Sequence, residues 1–311
     1  MPGLDIVGLG LSTLDVLMRL GEMPTWENTG RVSSFGLDGG GPVGTACVAA
    51  SRLGASVGYI GTAGTDDVAA MKLKSFTEAG VDLTRLVRRD GAESQVIFVY
   101  VEADTGERHF SGIEGFGAEP LQPGELDRDY ITSAKILHLD GTHREAGLQA
   151  AMWMHEAGRK VAIDCGTTTA TEVGEATRET VRHVDYLICG HGFGRALTGH
   201  DDVRDAGRAA LDMGPSIFVE TRGEEGSYTV TRDARFYTPA FPVDVVDTTG
   251  AGDVYHGAYL VGLLKGWELE FIAQFATAVS ALKCMSLGGR RGIPSYAATV
   301  DFLADRDIEP S

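Results

Sequence analysis

The chain of 311 residues is 43% hydrophobic and 23% charged, which is typical of a soluble globular protein that buries a sizeable core. Its 27 Lys and Arg against 44 Asp and Glu give a net charge of −17, which excludes an overall positive field for binding nucleic acid or an anionic membrane surface. The sequence has no apolar run approaching the ~20 residues that span a bilayer and does not start like a secretory signal, so we expect a cytoplasmic protein.

Short apolar runs recur along the chain, and a stretch with the helical spacing of apolar residues follows each of them. In chain order the runs read LDIVGLG, ASVGYIGTAG, AKILHLD, KVAIDC, VDYLICG and SIFVE. Helices are predicted over residues 43–53, 66–79, 143–157, 203–213, 251–265 and 268–285. This alternation predicts an α/β fold with a mostly parallel central sheet and helices on both faces.

Two segments, residues 15–37 and 83–110, break this rhythm and alternate like antiparallel strands, with a plausible hairpin turn at residues 104–106. We find no repeat or Pro/Ser-rich linker that marks a second domain. The sequence therefore predicts one domain over residues 1–311, in which the two segments form a small β-strand lid. Apolar side chains in the second segment, such as Val96, favour a homodimer that forms through this lid.

The stretch DTTGAGD, residues 247–253, comes directly before or within the start of a predicted helix. Gly and Asp are common at helix starts, so a purely structural helix start is one interpretation. The chemical interpretation is that the N–H groups of residues 250–252 form a cradle for an anion. Asp253 then lies beside the cradle, where a carboxylate is suited to take the proton of an attacking hydroxyl.

The stretch DGGGPVGTACVAASRLGA, residues 38–55, combines a glycine turn with a helix start. Because 42 of the 311 residues are glycine, an ordinary turn with Pro42 in the first helical turn is one interpretation. The other is that the glycines let the backbone approach a hydroxylated ligand closely.

In their order and spacing, these motifs resemble the ribokinase family of sugar kinases, the phosphofructokinase B type, over nearly the whole chain. The motifs that carry the resemblance are Asp15 after the first strand, the Gly-Gly turn, T-x-G-x-x-G at 221–226, DTTGAGD, and a glycine-rich loop at 287–294. VDVVDTTGAGDVYHGA and ALKCMSLGGRRGIP look most like ketose-type kinases, including ketohexokinase and the 6-deoxy-6-sulfofructose kinases. The resemblance implies a three-layer sandwich with a mostly parallel central sheet.

The resemblance also implies roles for individual residues. The catalytic base matches Asp253, and the anion hole matches Gly250, Ala251 and Gly252. The sugar-binding positions fall on Asp15, Gly39, Gly40, Gly44 and Asp140, and the segment lining the nucleotide on Thr221, Gly223 and Gly226. A monovalent-cation site matches Asp247, Thr249 and the backbone of residues 286–292. The cofactors implied are ATP, Mg²⁺, and K⁺ or a similar monovalent cation.

The chain also departs from the family pattern. Gly44 stands where many relatives have Asn, so one expected hydrogen bond to the substrate is missing. Gly190 and Phe193 stand where the family usually offers Asn and Glu near the phosphates and magnesium, and Asp164 or Glu220 is then left to hold magnesium-bound water. The basic and amide residues that contact a sulfonate are not evident, because Thr29, Gly112 and Thr142 occupy those places, so sulfofructose is not the expected substrate.

The expected function is therefore that of an ATP-dependent kinase acting on a hydroxymethyl group of a small sugar, with a ketose or a sugar acid favoured. A nucleoside kinase of the same fold and a sugar-binding relative without activity stay open as alternatives. Retention of Asp253 argues against the second, since a pure binder needs no carboxylate beside an anion hole. A dinucleotide-binding protein is suggested by VGLGLST at residues 7–13, but Thr13 stands in place of the third glycine.

Overall fold

Strands and helices alternate along the chain, as the apolar pattern predicts. The computed structural model describes residues 3–309, so the two residues at each end of the predicted domain lie outside the described part. The strands are Ile6–Leu9 (β1), Thr13–Leu20 (β2), Val32–Gly40 (β3), Val57–Ile60 (β4), Thr62–Ala63 (β5), Val87–Arg88 (β6), Val96–Glu102 (β7), Arg108–Gly112 (β8), Ile136–Leu139 (β9), Lys160–Cys165 (β10), Tyr186–Gly190 (β11), Ile217–Thr221 (β12), Ser227–Val230 (β13) and Arg235–Thr238 (β14).

The helices begin and end within two residues of their predicted bounds wherever a helix was predicted. They are Pro42–Arg52 (α1), Asp67–Ala79 (α2), Arg144–Glu156 (α4), Val203–Leu211 (α7), Ala251–Lys265 (α8) and Leu269–Cys284 (α9). Four more helices were not predicted, namely Arg128–Thr132 (α3), Glu175–Arg182 (α5), Phe193–Thr198 (α6) and Tyr296–Ala304 (α10). The cap of α2 explains its clear sequence signal, because Asp66 accepts the Ala69 N–H and Gly80 ends the helix with φ 76°.

The main sheet has the order β14-β13-β12-β11-β10-β9-β1-β4 within residues 3–309. Strands from β4 to β12 in this order pair in parallel, and β13 and β14 continue the sheet antiparallel. Alternate residues of β1 enter different cores, since Ile6 joins one cluster with α1, α8 and α9 while Val7 joins another with α4 and α7. Helices thus cover both faces of the sheet, and the predicted three-layer α/β fold is confirmed.

A second sheet of order β3-β2-β7-β8 lies apart from the main sheet. Residues 15–37 fall mostly on β2 and β3, and residues 104–106 lie in the turn between β7 and β8. Residues 83–95 do not join this sheet, although the sequence placed them in the lid. Their segment is held instead against α2, because the buried carboxylate of Glu93 lies 2.6 Å from the Lys72 ammonium.

Large apolar side chains are exposed on this second sheet, including Val32, Phe35 and Phe110. A lid function for the sheet and a homodimer formed through it stay predictions. Among residues 3–309, no helix combines the length and the apolarity needed to cross a membrane, and cytoplasmic residence likewise stays a prediction.

Helix α8 is buried in the middle of its own layer. Residues from Val254 to Gly262 are buried along it, and a β-carbon added to Gly257 would overlap the main-chain oxygen of Ala46 in α1. The two helices therefore cross with their backbones in close contact, which fixes where the first turn of α8 lies relative to the carboxyl end of the main sheet.

Candidate active site

Four carboxylates lie near the carboxyl end of the main sheet, close enough for their charges to shift one another's pKa values. They are Asp140 after β9, Asp164 in β10, Asp253 in the first turn of α8 and Asp15 in β2. Burial raises the pKa of Asp15 to about 6, and the charges of Asp38 and Asp253 add to the shift. Burial also raises the pKa of Asp164 above its usual range, with contributions from Asp253 and Asp140. Strand ends that face helix N-termini are where open α/β sheets bind ligands, so we take this cluster as the candidate active site.

The start of α8 leaves open space for a ligand. Gly250 precedes the helix with φ 75°, and a β-carbon there would lie 3.0 Å from the Gly289 backbone. A β-carbon added to Gly252 would meet nothing within 4 Å. The N–H of Ala251 donates back to the Thr248 carbonyl at 3.2 Å, so this N–H of the expected cradle is already directed into the turn.

The carboxyl group of Asp253 is set up to exchange a proton near neutral pH. Burial raises its pKa to about 6, while the charges of Arg108, Arg290 and Lys283 act in the opposite direction. A carboxylate with this pKa is mostly ionised at pH 7, yet it is a better proton acceptor than an exposed aspartate.

Asp15 lies directly over the glycine turn. Its Oδ1 accepts a hydrogen bond from Thr13 Oγ1 at 2.5 Å, and its side chain is 4% exposed. A β-carbon added to Gly40 would overlap the Asp15 carboxylate. Gly40 is therefore required by a side chain that itself faces the site.

The guanidinium of Arg290 fills the space under the same turn, and the sequence analysis missed it. Arg290 is fully buried, and its side chain donates to Ser75 Oγ at 2.9 Å and to the Gly40 carbonyl. β-Carbons at Gly39 and at Gly44 would overlap this guanidinium. The structure shows that both glycines make room for Arg290, which also explains why the usual Asn is absent at residue 44. Their expected role in binding sugar stays a prediction.

Asp38 joins the glycine turn to the late loop from the other side. Its Oδ2 accepts the N–H groups of Arg290 and Arg291, each at 2.9 Å, and its Oδ1 accepts the Gly39 N–H at 2.8 Å. The sequence signal was present in DGGG and GGRRG, but their separation by about 250 residues hid the pairing.

Asp140 is engaged with backbone groups. Its Oδ2 accepts the N–H of Leu11 at 2.7 Å and that of Val43 at 3.5 Å, and its Oδ1 accepts the Thr142 N–H at 2.9 Å. The carboxylate thus links the loop after β1 to the first turn of α1, where the helix dipole favours a negative charge. This positioning role is what the structure shows for the residue.

The expected nucleotide segment lies at the end of β12. Thr221 ends this strand, and Gly223 and Gly226 have φ of 57° and 95° in the turn to β13. A β-carbon at Gly226 would overlap the Thr238 carbonyl, so this glycine is required by the packing against β14. The side chain of Thr221 donates to the Cys189 carbonyl at 3.3 Å.

The two departures at residues 190 and 193 have separate structural reasons. A β-carbon at Gly190 would overlap Thr167, whose backbone and hydroxyl occupy the place of a longer side chain. Phe193 is 6% exposed and belongs to the core with α4 and α7, so an apolar contact stands where a carboxylate is usual.

Of the two alternatives for holding magnesium-bound water, Glu220 is already engaged. Its Oε1 accepts Nε and Nη2 of Arg222 at 3.0 and 2.8 Å, and its Oε2 accepts the Gly194 N–H at 3.3 Å. The Asp164 carboxylate lies 3.4 Å from the ring of His256, and because burial lowers the pKa of that ring well below its usual value, the ring is a neutral neighbour. Asp164 is therefore the better placed of the two.

Asp247, the carboxylate expected to bind a monovalent cation, is engaged by hydrogen-bond donors. Its carboxylate oxygens accept the N–H groups of Thr249 and Gly288, each at 2.8 Å, and its carbonyl accepts the ammonium of Lys283 at 2.9 Å. Thr249 is 5% exposed, and its hydroxyl is buried with no partner. Donors rather than oxygen ligands surround Asp247, which is unfavourable for a cation.

Comparison with known proteins decides the family. A family model described as pfkB family carbohydrate kinase matches residues 7–295. The chain belongs to this family. The ATP-dependent ribose-1-phosphate kinase of Halopiger xanaduensis is 27% identical over 302 residues, covering 97% of this chain and 98% of the relative. The aminoimidazole riboside kinase of Salmonella typhimurium is 29% identical over 284 residues, covering 86% and 89%.

The fold is shared with solved members as well. An E. coli structure titled as ribokinase II in complex with ATP and Mg²⁺ superposes with a TM-score of 0.83 at 19% identity, covering 97% of this chain and 99% of that one. This pfkB family member is therefore an ATP-dependent kinase of a sugar or a nucleoside. The relatives named here do not select one substrate for this chain.

We predict that kcat/KM falls as the pH is lowered through about 6, because Asp253 must be ionised to accept a proton. Asp15 titrates in the same range, so the apparent pKa belongs to the coupled group. Stability changes in the opposite direction. Both folded-state pKa values exceed the usual 3.8, so the stabilisation from these groups is greatest below that pH and is lost as the pH rises through about 6. A kcat/KM profile that is flat from pH 5 to about 8 contradicts the assignment of Asp253 as the proton acceptor.

We also predict that Arg290→Met lowers the free energy of unfolding by about 3–5 kcal/mol, because it leaves buried partners without their charged donor. Arg291→Met is the matched control, since Arg291 is exposed and its side chain donates to the Leu37 carbonyl at 3.0 Å. Urea unfolding of the two variants measures the difference. Equal loss of stability in both variants means that Arg290 does not hold the turn.

Proposed function

We propose that this pfkB family kinase transfers the γ-phosphate of ATP to a hydroxymethyl group of a small sugar, with a ketose or a sugar acid favoured. The observation that carries the proposal is the placement of Asp253. Burial raises the pKa of this carboxyl group to about 6. It lies in the first turn of α8, next to Gly252, where the structure leaves open space.

The proposed reaction is a direct, in-line transfer without a phosphoenzyme. The acceptor hydroxyl gives its proton to Asp253 as its oxygen attacks the γ-phosphorus, and the bond from phosphorus to the bridging oxygen of ADP breaks. The N–H dipoles of Gly250 and Gly252 stabilise the negative charge on the transferred group, since the Ala251 N–H donates to the Thr248 carbonyl. Asp253 then releases its proton to solvent, and the carboxylate is restored.

On the sugar side we propose Asp15 and the backbone of the turn at residues 39–44 as the binding surface. One carboxylate oxygen of Asp15 accepts a hydrogen bond from the Thr13 hydroxyl, and the carboxylate lies over Gly40. A carboxylate that accepts sugar hydroxyls strongly penalises analogues lacking them. Asp140 supports this surface through its contacts with Leu11 and Val43.

On the nucleotide side we propose that the segment from Thr221 to Gly226 lines ATP. Mg²⁺ neutralises charge between the phosphates when it is bound with the nucleotide. Among residues 3–309, no group of three or more His, Cys, Asp or Glu side chains is arranged as a metal site, which fits a magnesium ion held mainly by phosphates and water. Asp164 is the residue we propose to orient that water, since Glu220 is engaged by Arg222.

The second sheet is proposed to cover the sugar. A contact between the second sheet and the DTTGAGD stretch supports this role. Arg108 at the start of β8 donates a hydrogen bond to the side chain of Thr248. Arg108 also lowers the pKa of Asp253, so its charge acts on the proposed base. Strand β8 of the second sheet is therefore in direct contact with residues 247–253, which we call the catalytic turn.

Nucleoside phosphorylation is the second candidate, supported by the likeness to aminoimidazole riboside kinase. A coupled assay of ATP consumption over ketoses, aldoses, sugar acids, sugar phosphates and nucleosides separates the two. The proposal expects the highest kcat/KM with a ketose or a sugar acid. A nucleoside with the highest kcat/KM overturns it, and a sugar that raises the melting temperature without any turnover indicates a binding protein.

We predict that Asp253→Asn lowers kcat by at least ~10²-fold while ATP binding changes little, since the amide cannot accept the proton. Asp205→Asn is the control, because Asp205 is likewise an acid in a first helical turn but is exposed on α7. Steady-state rates and calorimetric ATP titration give the two quantities. Near-normal turnover of Asp253→Asn removes the assignment of the base.

A further inference from the structure

Helix α9 ends with a lysine whose ammonium is buried next to the catalytic turn. Lys283 is fully buried, and its Nζ donates to the Asp247 carbonyl at 2.9 Å. Asp247 is the first residue of the DTTGAGD stretch and is also fully buried. An ammonium is far costlier to bury than a neutral group unless opposite charge compensates it, so this placement needs a partner.

The partner charges are the acids of the catalytic turn. Burial lowers the pKa of Lys283, whereas Asp247 and Asp253 act to raise it. In return, the charge of Lys283 lowers the pKa of Asp253. The ammonium is thus part of the electrostatic balance at the start of α8.

A separate inorganic cation does not fit the same place. The carboxylate of Asp247 is directed at two backbone N–H groups, and its carbonyl is taken by Lys283. The late loop turns more donors inward, since the N–H groups of Arg290 and Arg291 point at Asp38. The carbonyl of Cys284 at the same junction is occupied as well, because it accepts the N–H groups of residues 246 and 247.

The positive side chains around Asp247 also disfavour a bound inorganic cation. Sites for hard monovalent cations are built from several oxygen atoms that face inward. Here the Lys283 ammonium already balances Asp247, and the guanidinium of Arg108 lies close enough to affect the pKa of Lys283. A further cation would meet two positive side chains, and the unpartnered hydroxyl of Thr249 is a single neutral ligand.

We propose that the Lys283 ammonium takes the place of the monovalent cation, so that this kinase needs no K⁺. This inference rests on the proposed kinase function. Lys283 is a positioning residue. It holds the carbonyl of Asp247, and with it the turn that leads to Gly250 and the start of α8, while its fixed charge favours the developing negative charge on the phosphoryl group.

The first experiment measures wild-type turnover in potassium-free and sodium-free buffer, with tetramethylammonium as the only added cation besides Mg²⁺. Adding about 100 mM KCl, at constant ionic strength, is expected to change kcat and KM by less than about twofold. A tenfold or greater activation by K⁺ overturns the proposal.

The second experiment replaces the ammonium with an apolar side chain of similar length. Lys283→Met is expected to lower kcat at least about tenfold in tetramethylammonium, and K⁺ is expected to recover at least half of the loss on a logarithmic scale. Lys72→Met is the matched control, because Lys72 is equally buried but pairs with Glu93 away from the catalytic turn. Recovery by K⁺ in both variants, or in neither, contradicts a site-specific replacement.

A third measurement does not depend on turnover. The melting temperature of the Lys283→Met variant is expected to rise with K⁺ more than with tetramethylammonium, whereas that of the wild type responds equally to both salts. If no sugar or nucleoside is phosphorylated, the proposed function fails, but the salt response of the two proteins still decides the role of Lys283. If Lys283→Met does not fold, the wild-type rate and melting temperature decide it alone, and a K⁺-specific response in either overturns the proposal.

Discussion

The rest of the site depends on the hydrogen bonds that the buried guanidinium of Arg290 makes. It lies under the glycine turn and donates to the Gly40 carbonyl, while its own N–H is held by Asp38. Two ends of the chain about 250 residues apart are joined in this way, and the 4.4 Å contact between the guanidinium and the Phe76 ring extends the junction to α2. Because leaving a buried charge unpaired is costly, the turn and the late loop hold one arrangement relative to each other.

Buried cationic side chains also offset the charges of the several buried carboxylates at the site. Asp15 and Asp253 are both buried enough to raise their pKa values to about 6, and the charge of Arg290 lowers both. Lys283 provides a second fixed charge behind the catalytic turn. At neutral pH Asp15 and Asp253 are therefore mostly ionised, and this is the state of Asp253 that proton transfer from a hydroxyl requires.

Much of the fold could be predicted because its signals are local. The helix from Ala251 to Lys265 matches the prediction, since glycines stand at both of its ends. The segment 83–95 was misplaced because its alternating pattern resembles a strand, whereas Glu93 in fact binds Lys72 on α2, the preceding helix. The position of Asp253 in the first turn of a helix was readable, because the motif itself carries it. The role of Arg290 was not readable, because long-range packing decides which side chain fills the space beside a glycine.

We propose that the sugar lies over the turn formed by Gly39 and Gly40, with its acceptor hydroxyl at Asp253. A crystal structure of the complex with a substrate sugar and a non-hydrolysable ATP analogue tests this most directly. We predict an acceptor oxygen within roughly 2.6–3.2 Å of an Asp253 carboxylate oxygen, in line with the γ-phosphorus, and Arg290 beneath the turn without contact to the sugar. A sugar bound elsewhere, or an acceptor oxygen that contacts no oxygen of Asp253, contradicts this placement of the sugar and the role of Asp253 as the base.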